Sequence, residues 1–146
     1  MTMPDEGRAA AIGRVIEGLI EANRHVTRPR VTPFAGHHLG RSHLDLLFLV
    51  AHRTDVTPGF LASELKITPG AVSQLVATLR NAGLVTAEPN PADSRSVLLR
   101  LSNETKFELD EFESRVVGAA IPRFASLSLD DLTQLARLLG AVKEAR

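Results

Sequence analysis

"TPGFLASELKITPGAVSQL", Thr57 to Leu75, carries the triplet Thr-Pro-Gly twice. In a chain of 146 residues with 8 prolines and 10 glycines, two copies this close point to repeated structure. A threonine hydroxyl accepts from the orphan amides of a helix's first turn. Proline at the first helical position loses nothing, because its missing donor had no partner there. Thr57 therefore caps a helix over 58–65, and Thr68 caps a second over 69–82. The first is barely two turns long and must pack at once to persist. The second turns Val72, Leu75, Val76 and Leu79 inward and ends at Gly83, a residue suited to the C′ position.

Beyond Gly83 the apolar period changes to two. "LVTAE" and "SVLLRL" flank the polar run "PNPADSR", and Val97, Leu99 and Leu101 alternate with Leu98 and Arg100. This predicts a β-hairpin with a long polar tip. Helix, short helix, tight turn, longer helix and hairpin make a winged helix-turn-helix. In that motif the second helix enters the DNA major groove and the first braces it. Ala62 is the small residue where the two helices cross, and Val72 gives the apolar contact back.

The flanking segments are helical. Ile12, Val15, Ile16, Leu19, Ile20 and Val26 form an apolar stripe over about Glu6 to Val26, about 30 Å long. "TRPRVTPFAGHHLGRS" breaks the pattern with prolines and glycines. Ser42 is the expected cap of the next helix, with Asp45 in its first turn and Leu44, Leu47, Phe48 and Ala51 on one face. After the hairpin, Ser102 caps a helix with Glu104 in its first turn and a stripe of Phe107, Phe112, Val116 and Ala119. Pro122 should kink or end it near Ile121. Ser128 caps the last helix, with Asp130 and Asp131 in the first turn and Leu132, Leu135, Leu138, Leu139 and Val142 on one face.

Composition narrows the function classes. A chain of this size can bury roughly 70% of its unfolded surface and needs no staple. It has no cysteine, which excludes disulfides, Cys-ligated zinc and thiol redox chemistry. The charged N-terminus lacks the apolar core of a signal peptide, and no stretch reaches bilayer-spanning length. We therefore expect a soluble, cytoplasmic protein with no membrane association. Formal net charge is zero, from 17 basic and 17 acidic residues. Segment 57–101 holds Lys66, Arg80, Arg95 and Arg100 against Glu64, Glu88 and Asp93, and is only slightly basic. For a nucleic-acid binder that is a weak electrostatic footprint.

No catalytic pattern is present: there is no nucleophile elbow, phosphate loop or metal-binding spacing. The adjacent pair His37-His38 cannot share a helix face, and His43 and His52 lie nine apart, so no zinc motif forms. We expect no metal, no cofactor and no enzymatic activity.

The run "LASELKITPGAVSQLVATLRNAGLV" followed by "NPADSRSVLLRLS" resembles the MarR family of bacterial transcriptional regulators. The most specific part is the wing pattern, Asp-x-Arg, apolar alternation, then Leu-Ser opening a helix. The resemblance covers residues 5 to 144. It implies a mainly α fold: a winged helix-turn-helix lobe over 42–101 with a two-stranded β-hairpin wing, plus N- and C-terminal helices, 5–27 and 102–145, forming a dimerisation lobe. Members are homodimers on pseudopalindromic operators, and most are repressors released by small, often phenolic, ligands. The two long amphipathic ends, which a lobe of this size cannot fully cover, agree with dimerisation.

The resemblance places the DNA-binding residues at Thr68, Gly70, Ala71, Ser73, Gln74, Thr78 and Arg80 on the reading helix. It places Arg95 in the minor groove, with Asp93 holding its guanidinium by a bidentate pair. Gln74 suits an adenine edge. The effector pocket would take Phe34, His37, His38 and His43, near the start of the second helix.

The departures are informative. Gln74 and Thr78 stand where the family often has arginines, Ser94 replaces a wing arginine, and Glu88 sits where a basic residue is common. Fewer phosphate contacts give a shallower salt dependence. Lys66 occupies a turn position that usually holds glycine; a positive φ there costs on the order of 1 kcal/mol. These departures leave an alternative: a winged-helix module for protein interaction or ligand sequestration, with weak or lost DNA binding.

Overall fold

The computed structural model describes residues 6–26 and 33–144. Six helices and one hairpin follow in chain order: α1 (Glu6–Val26), α2 (Arg41–His52), α3 (Pro58–Leu65), α4 (Pro69–Asn81), β1 (Val85–Pro89), β2 (Val97–Leu101), α5 (Asn103–Phe124) and α6 (Leu129–Glu144). The chain divides into two compact units, 31–113 and 1–30 with 114–146. Residues 5, 27 and 145, which bound the expected dimerisation helices, lie outside the described residues.

The unit 31–113 is built around α2. Leu46 and Leu47 are fully buried with Leu61, Val72, Leu79, Leu99 and Leu109. The buried face of α2 is only partly the expected one: Leu47 is buried and Leu44 and Phe48 pack against the core, but Leu46 and Val50 are buried as well and Ala51 is exposed. The reason is that α3, α4 and β2 all pack on this helix, so the covered stripe is wider and rotated. Its cap is also different from the expected Ser42. Gly40 is the N-cap, and its amide donates to Nδ1 of His43 at 3.1 Å.

The hairpin pairs Val85 with Leu101 and Ala87 with Leu99. The alternation in β2 does not produce one wet face, because Leu98 and Leu99 are both buried. Leu99 N also donates to the carbonyl of Val56 at 2.8 Å, which ties the wing to the loop after α2.

The division between units falls inside α5, at 113/114, and not at its start. Thr105, Leu109 and Phe112 are the buried face of this helix, so its first half belongs to the winged-helix unit. Phe107 is 69% exposed, contrary to the expected stripe. At 100° per residue it points about 140° away from Phe112. Of the two outcomes expected at Pro122, a kink or an end, the helix does not end there: it runs through Pro122 to Phe124.

The second unit comprises α1, the rest of α5 and α6. Among its described residues no side chain is buried. Ile16, Leu19, Ile20, Leu138 and Leu139 all remain exposed. The cap of α6 is as expected: Asp131 N donates to Ser128 Oγ at 3.1 Å, and Ser128 N donates to Asp131 Oδ2 at 3.0 Å. Among the described residues no helix is long and apolar enough to cross a membrane.

Candidate nucleic-acid interface

The two Thr-Pro-Gly starts form as the sequence predicts. Thr57 Oγ1 accepts from Phe60 N at 3.1 Å, and Thr68 Oγ1 accepts from Ala71 N at 3.2 Å. Between them Lys66 adopts φ 55° and ψ 44°. This left-handed residue lets the carbonyl of Ala62 accept from both Lys66 N and Ile67 N. The turn is closed without glycine, at the strain expected of a left-handed L-residue.

Packing fixes which face of α4 looks outward. Val72 and Leu79 are fully buried, and Leu75 and Val76 are half-buried. Gly70, Ser73, Gln74, Ala77, Thr78 and Arg80 are exposed, and Ala71 sits at the rim. The hydroxyls on this face are turned back onto the helix. Ser73 Oγ donates to Pro69 O at 3.0 Å, and Thr78 Oγ1 donates to Gln74 O at 3.0 Å. Their protons are therefore engaged locally, and what they offer outward is acceptor oxygen. A Cβ on Gly70 would meet only Thr68 Oγ1, at 3.9 Å. Nothing inside the protein demands glycine there; its effect is to leave the helix N-terminus bare.

The wing tip is a self-locked turn. Asn90 Nδ2 donates to Ser96 Oγ at 2.8 Å, and Asn90 Oδ1 accepts from Ala92 N at 3.0 Å. Asp93 Oδ1 accepts from the backbone N of Arg95 at 3.0 Å. This corrects the expected carboxylate–guanidinium pair: the side chain of Asp93 shapes the backbone, and the Arg95 guanidinium stays exposed. A short acidic side chain two residues before an amide closes this local ring more readily than it reaches a long, mobile arginine.

Three charges, Arg100, Asp55 and Glu88, are paired. Arg100 lies 3.7 Å from both Asp55 Oδ1 and Glu88 Oε2. These exposed pairs add little stability, but they surround Arg100 with negative charge. Among the described residues Lys66, Arg80 and Arg95 make no ion pair, so these three are the unpaired cations of segment 57–101. The Glu88 contact is readable as a diagonal cross-strand pair. Asp55 is brought in only by the fold.

The four effector candidates are dispersed in role. Phe34 is buried in the core, with φ 61°, and its amide donates to Glu108 Oε1 at 2.6 Å. His43 is engaged with Gly40. His37 and His38 are exposed. His52, also on α2, bonds Glu113 Oε1 through Nε2 at 2.6 Å and stacks on Phe48. Among the described residues no group of three or more metal-ligating side chains comes together.

Comparison with known proteins agrees with this geometry. Residues 38–96 match the MarR family. An uncharacterised HTH-type transcriptional regulator of Mycobacterium leprae is 36% identical over 42% of this chain and 43% of its own length. The match thus spans less than half of that relative. The uncharacterised HTH-type regulator YdgG of Bacillus subtilis is 24% identical over 97% of this chain and 93% of its own. Among solved structures, the transcriptional regulator Tm0710 of Thermotoga maritima superposes with a TM-score of 0.57 at 18% identity, over 94% of this chain and 93% of that one. At that identity the likeness is one of fold.

Proposed function

We propose that this chain is a MarR-type winged helix-turn-helix protein and acts as a cytoplasmic, sequence-specific DNA-binding repressor, a homodimer on a pseudopalindromic operator; the match of residues 38–96 to the MarR family supports this reading. The observation that carries this reading is one compact unit presenting two DNA-sized features. The outward face of α4 suits a major groove, and the tip 89–95, with Arg95 exposed, suits the adjacent minor groove. The DNA-contacting set is Thr68, Gly70, Ala71, Ser73, Gln74, Thr78, Arg80 and Arg95, with Asp93 shaping the tip. The positive dipole end of α4 offsets part of the shortage of cations; Thr68 Oγ1 takes the Ala71 amide and Pro69 has none, so the Gly70 amide is the one offered to phosphate.

Dimerisation is supported by the unit of α1, α6 and the end of α5. A helical unit with no buried side chain has no core of its own, and burying each large apolar side chain stabilises by about 1.5–3 kcal/mol. Its groove of about 560 Å³, lined by Val15, Leu19, Phe124, Leu135 and Leu139, is apolar. A second copy supplies the missing cover, and half-sites then lie about one helical turn apart. A small aromatic effector, taken near His37 and His38, releases DNA by binding one arrangement of the dimer more tightly than the other.

Mobility-shift assays at low salt with duplexes selected from a random library test the core of this reading. Sequence-selective binding is expected. Its absence would leave the alternative of a winged-helix interaction module. Alanine at both His37 and His38 should abolish effector-induced release.

A further inference from the structure

We infer that Gln74 is the specificity-determining residue of the reading helix, and that it selects an A·T base pair at one position of each operator half-site. This rests on the DNA-binding reading above and adds which base is read and by what. At 100° per residue, Gln74 lies roughly opposite the buried row of Val72, Val76 and Leu79. It therefore marks the middle of the outward face. The positions within about 60° of it on the N-terminal and central turns are Gly70, Ala71, Ala77 and Thr78. None of these has a side chain long enough to reach a base edge ahead of it.

The hydrogen-bonding pattern singles it out further. Ser73 and Thr78 donate their hydroxyl protons to Pro69 O and Gln74 O. Among the described residues the Gln74 side-chain amide makes no hydrogen bond, so both its donor and its acceptor are available. A glutamine amide matches the N6 donor and N7 acceptor of adenine bidentately, whereas guanine alone presents only acceptors and cytosine alone only a donor in the major groove. The methyl of exposed Ala77, about one turn further along α4, suits the C5-methyl of a thymine on a neighbouring step. Arg80 lies about 120° from Gln74, on the rim of the face, and suits the phosphate backbone.

The test is binding-site selection from a randomised duplex library with the full-length protein, run in parallel for wild type, Gln74→Ala and Gln74→Glu. Wild type should enrich an A·T pair at one position per half-site. Gln74→Ala should lose the preference at that position alone and bind the wild-type consensus roughly ten- to a hundredfold more weakly. Gln74→Glu should shift the preference there towards C, whose N4 amino group donates. A wild-type protein that selects a site while Gln74→Ala selects the same site with the same information content overturns this inference and leaves the repressor reading standing. A wild type that selects no sequence at low salt sinks both. The position is solvent-exposed, and unchanged thermal melts of the variants separate lost recognition from lost folding.

Discussion

Lys66 turns the chain between α3 and α4 with φ 55°, a conformation the sequence would sooner have given to glycine. Lys66→Gly should relieve about 1 kcal/mol of strain, less the added freedom of the unfolded chain. Urea unfolding is expected to show a net gain of at most about 0.6 kcal/mol with an unchanged m value. A loss of stability would mean that the turn is not strained. Arg95 is the second single residue with a distinct consequence. If its exposed guanidinium enters a minor groove, Arg95→Ala should weaken operator binding and lower the salt slope by about one. The same change at Arg137, on α6, should leave both nearly unaltered. Equal effects would count against the wing. Asp93 shows where reading by residue type stops. Its position two residues before Arg95 suggested an ion pair, and the structure uses its carboxylate for the backbone amide instead.

Helix starts were legible wherever the cap is local chemistry. Thr57, Thr68, Ser102 and Ser128 all accept from amides three residues on, because that bond needs only the spacing and the residue type. The start of α2 was misread because an imidazole does the work from the third helical position, while Ser42 looked the better candidate. At α6 the cap acts on a charge. The hydroxyl of Ser128, and then its amide, hold the Asp131 carboxyl below its ordinary value. A depressed folded-state value means the contribution is present above the unfolded value and fades as pH falls through the folded one. Ser128→Ala should move the Asp131 titration back up towards the ordinary range, as read by carboxylate NMR. An unmoved titration would show that the hydroxyl is not its cause. The faces of α2 and α5 were less legible than their extents. Leu46 and Phe107 are both large and apolar, and only the position of neighbouring elements decides which one is covered.

At the scale of the molecule, the unit formed by α1, α6 and the end of α5 sets the strongest expectation. Leu139 is 41% exposed and Ile16 is 51% exposed on helices with little else to bury them. Sedimentation should find a dimer at micromolar concentration. Leu139→Glu should raise its dissociation constant more than tenfold, since a carboxylate in an apolar interface costs well over 1.4 kcal/mol. A wild type that sediments as a monomer at that concentration would remove the homodimer from the proposed function. Operator binding should fall together with dimerisation, because one lobe then meets only one half-site.

The doubled Thr-Pro-Gly, the period change after Gly83 and the wing run Asp93–Leu101 by themselves determined the order and type of the elements from α3 to β2. Capping, proline placement and apolar periodicity act over three to seven residues, and a sequence displays them directly. The tertiary structure decided what depends on residues far apart in the chain. It assigned Asp55 and Glu88 to Arg100, turned the buried face of α2 towards three neighbours, and split α5 between two units. It also left Gln74 with a free amide between two hydroxyls turned inward. Burial and hydrogen-bond pairing are shared properties of several elements, so no single segment carries them.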